Sequence, residues 1–155
     1  MRPRWTAPFL ALSLAGAGGC FILHAGSMLG RPAPLAPAVA LEIGAFVTWV
    51  PAVALFVHRA RARFGSPFSP ALVRAFYPTF FDGTPPWLRR AAIASVAYAW
   101  VFLLGRWLWQ LRDLEATPPA PTDPELTAVA LAFYVLSAAV LSGVGNGRGR
   151  GPRAL

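Results

Sequence analysis

Apolar residues run almost unbroken through four stretches of this chain, about residues 8–29, 35–57, 91–111 and 126–144, and polar residues collect between them. A helix rising ~1.5 Å per residue crosses a hydrocarbon core of ~30 Å in about 20 residues, the length of each stretch. The pattern predicts an all-α membrane protein, a four-helix transmembrane bundle that makes a single membrane domain of residues 1–155.

The interval over residues 58–90 carries a second, shorter signal. Ser69-Pro70 reads as an N-cap and first helical residue, opening a short helix through about Tyr77. Phe64, Phe68, Leu72, Phe76, Tyr77, Phe80 and Phe81 make the interval too aromatic for a solvated linker. The short helix is therefore expected in the membrane interface, rings inward and arginines at the headgroups. Asp82-Gly83 predicts a turn, and Thr84-Pro85-Pro86 a cap for the third span. Pro51 removes a ladder donor inside the second span and predicts a kink there. The connection over residues 116–125 is proline-rich, with Asp123 as cap and Pro124 at the start of the fourth span.

Charge turns the four spans into a threading. Eleven of the fourteen basic residues, all arginine, fall in three intervals. These are Arg2 and Arg4, then Arg59, Arg61, Arg63, Arg74, Arg89 and Arg90, then Arg148, Arg150 and Arg153. The first short connection holds only Arg31, and the third sets Arg106 and Arg112 against Asp113, Glu115, Asp123 and Glu125. Arginines near span ends stay on the cytoplasmic side, so both termini and the middle interval are expected there (N-in/C-in). Trp5 and Trp87 then fall at the inner boundary, and Trp107 and Trp109 at the outer one, where amphipathic rings settle. Trp87 and the six arginines of the middle interval are the expected contacts with anionic lipid headgroups.

Composition narrows the function classes. With 56% hydrophobic residues in 155 and a mean hydropathy of +0.52, no segment outside the spans is long enough for a separate soluble core. The net charge of +8 and the Gly-Arg-Gly-Arg-Gly-Pro-Arg tail look superficially like an RNA-binding segment. Arginines after a last span suffice as a topology signal and a lipid contact, so no nucleic-acid partner is expected. The lone Cys20 excludes an intramolecular disulfide. Residues 1–20 have the outline of a lipoprotein signal, but Phe-Ile-Leu continues the apolar run after Cys20, which favours a thiol packed in the first helix.

Small residues crowd the first span (Ala15 to Gly19, then Gly26 and Gly30) and recur in the third at Ala91, Ser95 and Ala99. They let helix backbones approach closely where lipid removes the hydrophobic drive. Packing within the bundle is the first use expected of them, a homo-oligomer or a larger membrane-protein partner the other.

Leu23-His24-Ala25 through Gly30, Glu42-Ile-Gly-Ala-Phe-Val-Thr-Trp-Val-Pro-Ala-Val, and Tyr77-Pro78 through Pro86-Trp87-Leu88 carry a resemblance. Over about its first two-thirds the chain resembles a family of small, uncharacterised bacterial four-span membrane proteins. The fourth span lacks the polar Gly-His-Trp-type segment of those relatives. The resemblance implies the topology alone and no activity; a bacterial inner membrane is the expected location.

Candidate chemistry is confined to three ionisable residues inside spans: His24, Glu42 and Arg106. Each lies on the order of 8–10 Å below the outer boundary at ~1.5 Å per residue. Two readings stand side by side. In one, Glu42 titrates, Arg106 depresses its pKa and His24 relays a proton in a small proton- or cation-coupled transporter. In the other the three form a structural clamp, or Arg106 snorkels outward. His24 lies near the outer face and His58 at the inner edge, so they cannot share a haem; zinc ligands are lacking, and no nucleophile or phosphate-loop motif occurs. The expectation is a non-enzymatic accessory or structural subunit with no cofactor.

Overall fold

A computed structural model of the chain describes residues 5–31, 34–112 and 123–145, the side chains of residues 106, 109–112, 123 and 145 excepted. The described residues form five helices: α1 (Thr6–Met28), α2 (Leu35–Phe64), α3 (Pro70–Phe80), α4 (Pro86–Arg112) and α5 (Asp123–Ser142). A 3-10 turn over Gly143–Gly145 closes the last of them. All but α3 are long and apolar enough to cross a membrane. The basic tails and most of the proline-rich connection lie outside the described residues, as does the side chain of Trp109.

Helix ends follow local chemistry. The helix of the second span runs past the expected end at 57 to Phe64, because arginine and alanine are good helix formers and nothing interrupts them before Gly65. Gly65 stops it in the left-handed conformation, φ 74°, its amide donating to the Arg61 carbonyl at 2.9 Å. The same helix continues through Pro51. Ser69 caps α3 as its sequence predicts, accepting from the Ala71 amide at 3.3 Å. That helix reaches Phe80, past Pro78. At the start of α4 the Arg89 amide donates to Pro85, and the Thr84 hydroxyl, expected to cap this helix, is spent elsewhere.

The order of packing is not the order of the chain. Helix α5 lies at the centre with α1, α2 and α4 laid against it, while α1 also packs on α2 and α3 on α2. Ala128, Ala132, Ala138, Ala139 and Val140 are buried along its length. Alanine gives such a central helix three close neighbours at once, which is what small residues supply in a bilayer.

Tyr134 is the large side chain of that centre, 1% exposed. It passes between α1 and α2, where Gly16 and Gly44 leave it room: a Cβ on Gly16 would enter its ring, and one on Gly44 its hydroxyl. Its hydroxyl donates to the Leu41 carbonyl at 2.8 Å. Cys20 is fully buried beside it, with Ala45 and Ala130. The small residues of the first span thus serve packing inside the chain at Gly16, whereas Gly18 and Gly26 face open space.

A second apolar cluster joins α5 to the middle interval through Phe80, Phe81, Leu88 and Ala92. Phe76 stacks on Phe80 at 5.5 Å between centroids, and Phe56 of α2 meets both rings edge-on or tilted. These rings bind α3 to the bundle, so part of the aromatic content expected at the membrane interface is core. Phe68, Val73, Phe76 and Tyr77 still leave much of their surface exposed.

Candidate functional site

Polar side chains gather at the two ends of α5. At its C-terminal end the Arg59 guanidinium reaches across from α2, Nη1 donating to the Phe80 carbonyl at 3.4 Å and Nη2 to Val140 at 3.3 Å. The Thr84 hydroxyl donates to the Ala139 carbonyl at 2.7 Å. Unpaired carbonyls at a helix C-terminus carry partial negative charge, and a cation with a hydroxyl answers them there. Gly143 then passes so close to the Asp82 carbonyl that a Cβ would strike it. Arg59, expected as a lipid contact, is therefore half-buried and turned inward. Arg61, Arg63, Arg74, Arg90 and Trp87 are exposed, and Arg89 lies over the Tyr77 ring at 5.7 Å.

At the other end, His24 of α1 is buried and holds three helices together. Its Nδ1 lies 2.9 Å from the Thr127 hydroxyl of α5, and its Nε2 lies 2.7 Å from the Tyr98 hydroxyl of α4. Thr127 donates to the Pro124 carbonyl at 3.3 Å, leaving its oxygen to accept from Nδ1–H. Nε2 then accepts from Tyr98. The Tyr98 and Phe102 rings meet the imidazole edge-on, each 5.4 Å away. Tyr98 and Thr127 were not among the candidates because sequence gives depth in a helix but not the direction its side chains face.

Glu42 is elsewhere. It lies on α2 facing a groove that opens between α2 and α4 with α5 as floor. The groove holds about 430 Å³ and is walled by Phe46, Leu103, Val129 and Phe133, with Glu42 and Glu125 as its acidic residues. Glu42 makes no hydrogen bond or ion pair with another described residue. The structure therefore does not bring His24 and Glu42 together, and their expected pairing is not made. Arg106 is on α4, and its side chain lies outside the described residues.

Hydroxyls inside the spans mostly bond their own helix. Ser13, Ser27, Thr48, Ser95 and Ser142 donate to carbonyls three or four residues earlier. Thr79 and Ser137 are buried hydroxyls with no hydrogen-bond partner among the described residues. Among the described residues no group of three or more potential metal ligands occurs. No protein-family model, no curated protein and no solved structure matches this chain.

Proposed function

We propose that this chain is a small multi-pass protein of the bacterial inner membrane, with both termini cytoplasmic, acting as a non-enzymatic accessory or structural subunit. One observation carries the reading. The centre of the bundle is a packed helix, α5, lined with alanine and filled by Tyr134. The polar groups His24, Arg59, Thr84 and Tyr134 are spent on joining helices. This is the economy of a rigid membrane unit.

Orientation rests on the arginines, of which Arg61, Arg63, Arg74 and Arg90 are exposed at the α3 end of the bundle. There α3 lies in the cytoplasmic interface, its exposed Val73 and the exposed Phe68 just before it entering the bilayer and Arg74 meeting anionic headgroups. The transporter reading draws less support, because both ring nitrogens of His24 are already engaged and Glu42 faces a different seam.

Cross-linking in native membranes, followed by isolation in mild detergent, tests the accessory role. A discrete complex of fixed stoichiometry with a larger membrane protein is expected. A chain recovered only at its own mass would contradict it.

A further inference from the structure

A second groove opens between α2 and α3, and its two ends differ. Helix α3 runs back along α2: Phe76 meets Phe56 at 5.2 Å between centroids, and Phe80 meets Trp49 at 6.2 Å. The groove holds about 360 Å³, within the ~300–1,000 Å³ typical of small-molecule sites. Phe56, Leu72, Val73 and Phe76 wall it, and Phe68 and Ser69 line the end where α3 begins. Phe56 closes the apolar run of the second span. Arg63 lies seven residues on, about two turns and ~10 Å further along the same face of α2. It is exposed, its guanidinium 5.7 Å over the Phe64 ring.

We propose that this groove binds one anionic phospholipid, an acyl chain laid along Phe56, Leu72 and Phe76 and the phosphate against Arg63 and Ser69. Charge complementarity selects this occupant. The interval over residues 58–90 sets six arginines against Asp82 alone, so a cation is repelled. A neutral acylglycerol satisfies the walls and leaves Arg63 unanswered. Free phosphate meets the arginine and makes no use of the walls. An acidic protein segment needs a groove open to water, whereas Phe56 lies level with the end of an apolar span. The ~10 Å from Phe56 to Arg63 is on the order of the headgroup layer that a phospholipid itself crosses from chain to phosphate. The Ser69 hydroxyl accepts from the Ala71 amide at 3.3 Å and keeps its own hydrogen to donate to a phosphate oxygen.

The inference rests on the membrane reading above and not on the accessory role or the orientation. Retention of the chain in membranes washed with alkaline carbonate tests that reading separately, and release would overturn both. The full chain in dodecyl maltoside is then titrated with dioleoyl phosphatidylglycerol, and bound lipid is counted by native mass spectrometry. Dioleoyl phosphatidylcholine is the zwitterionic control, and glycerol phosphate the headgroup without chains. One phosphatidylglycerol per chain is expected, bound about tenfold more tightly than phosphatidylcholine and not displaced by glycerol phosphate. Arg63→Gln should weaken it about fivefold, the worth of one arginine beside an anionic lipid, while Arg90→Gln on α4 leaves it unchanged. Val73→Trp, which fills the groove from an exposed wall, should weaken it about tenfold while the melting temperature is retained. Phosphatidylcholine binding as tightly, equal losses from Arg63→Gln and Arg90→Gln, an unchanged affinity in folded Val73→Trp, displacement by glycerol phosphate, or no saturable binding would each overturn the proposal. So would a co-purifying protein that Val73→Trp releases and phosphatidylglycerol does not displace.

Discussion

The Tyr98 hydroxyl lies 2.7 Å from Nε2 of His24, tying α4 to α1 at the end of the bundle where the two helices otherwise hardly meet. Thr127 holds the other ring nitrogen, so one imidazole joins three helices. Removing the Tyr98 hydroxyl leaves a buried nitrogen without its donor, at a cost of about 1–3 kcal/mol. Tyr98→Phe should lower the melting temperature in detergent. His24→Gln, which keeps a donor and an acceptor, should lower it less than His24→Leu. Equal losses in the last two would mean that the ring acts by packing alone.

Gly16 is held small by Tyr134. A methyl at position 16 enters the phenol ring, and Tyr134 is nearly fully buried with α5 behind it. Gly16→Ala should destabilise the bundle by about 1–3 kcal/mol, the usual range for overpacking. Gly18→Ala, which meets open space two residues away, should not. Thermal melts of the two variants in the same detergent check the contrast.

Arg59 joins two helix ends through two separate nitrogens of one guanidinium. Lysine places its charge at a single point and cannot reproduce the fork. Arg59→Lys should therefore lose stability nearly as Arg59→Gln does, whereas Arg61→Lys, at an exposed position, should be neutral. Unfolding of the three variants by a denaturing detergent reads the order directly.

Ser137 buries a hydroxyl that has no hydrogen-bond partner among the described residues. Burying a hydroxyl unpaired costs about 1–3 kcal/mol, judged from protein mutational data. Ser137→Ala should raise the melting temperature, since the alanine fits the same space. A fall would mean that the hydroxyl finds a partner in the membrane.

The four long helices were legible because each apolar run is long enough to span a bilayer, and Ser69-Pro70 marked the start of α3. Their arrangement was less so. Helix α5 gives its central place away only through its alanines and its Ser and Thr residues, a pattern that also suits a lipid-facing span. The arginines show why the site was read in part. Arg59 and Arg61 look alike beside a span end, yet one turns inward to carbonyls and the other stays exposed, a choice made by their angular positions on α2. Depth placed His24 and Glu42 at one level. Azimuth, which no single helix reveals, sent them to different seams.

Threading is the claim on which orientation and the lipid contacts of α3 both depend. Single cysteines at Leu29, between α1 and α2, and at Ser66, between α2 and α3, can be introduced with the buried Cys20 changed to alanine. Spheroplasts are then treated with a membrane-impermeant maleimide. Leu29→Cys should label at once, and Ser66→Cys only after the membrane is permeabilised. Labelling of both from the outside, or of Ser66→Cys alone, would contradict the account.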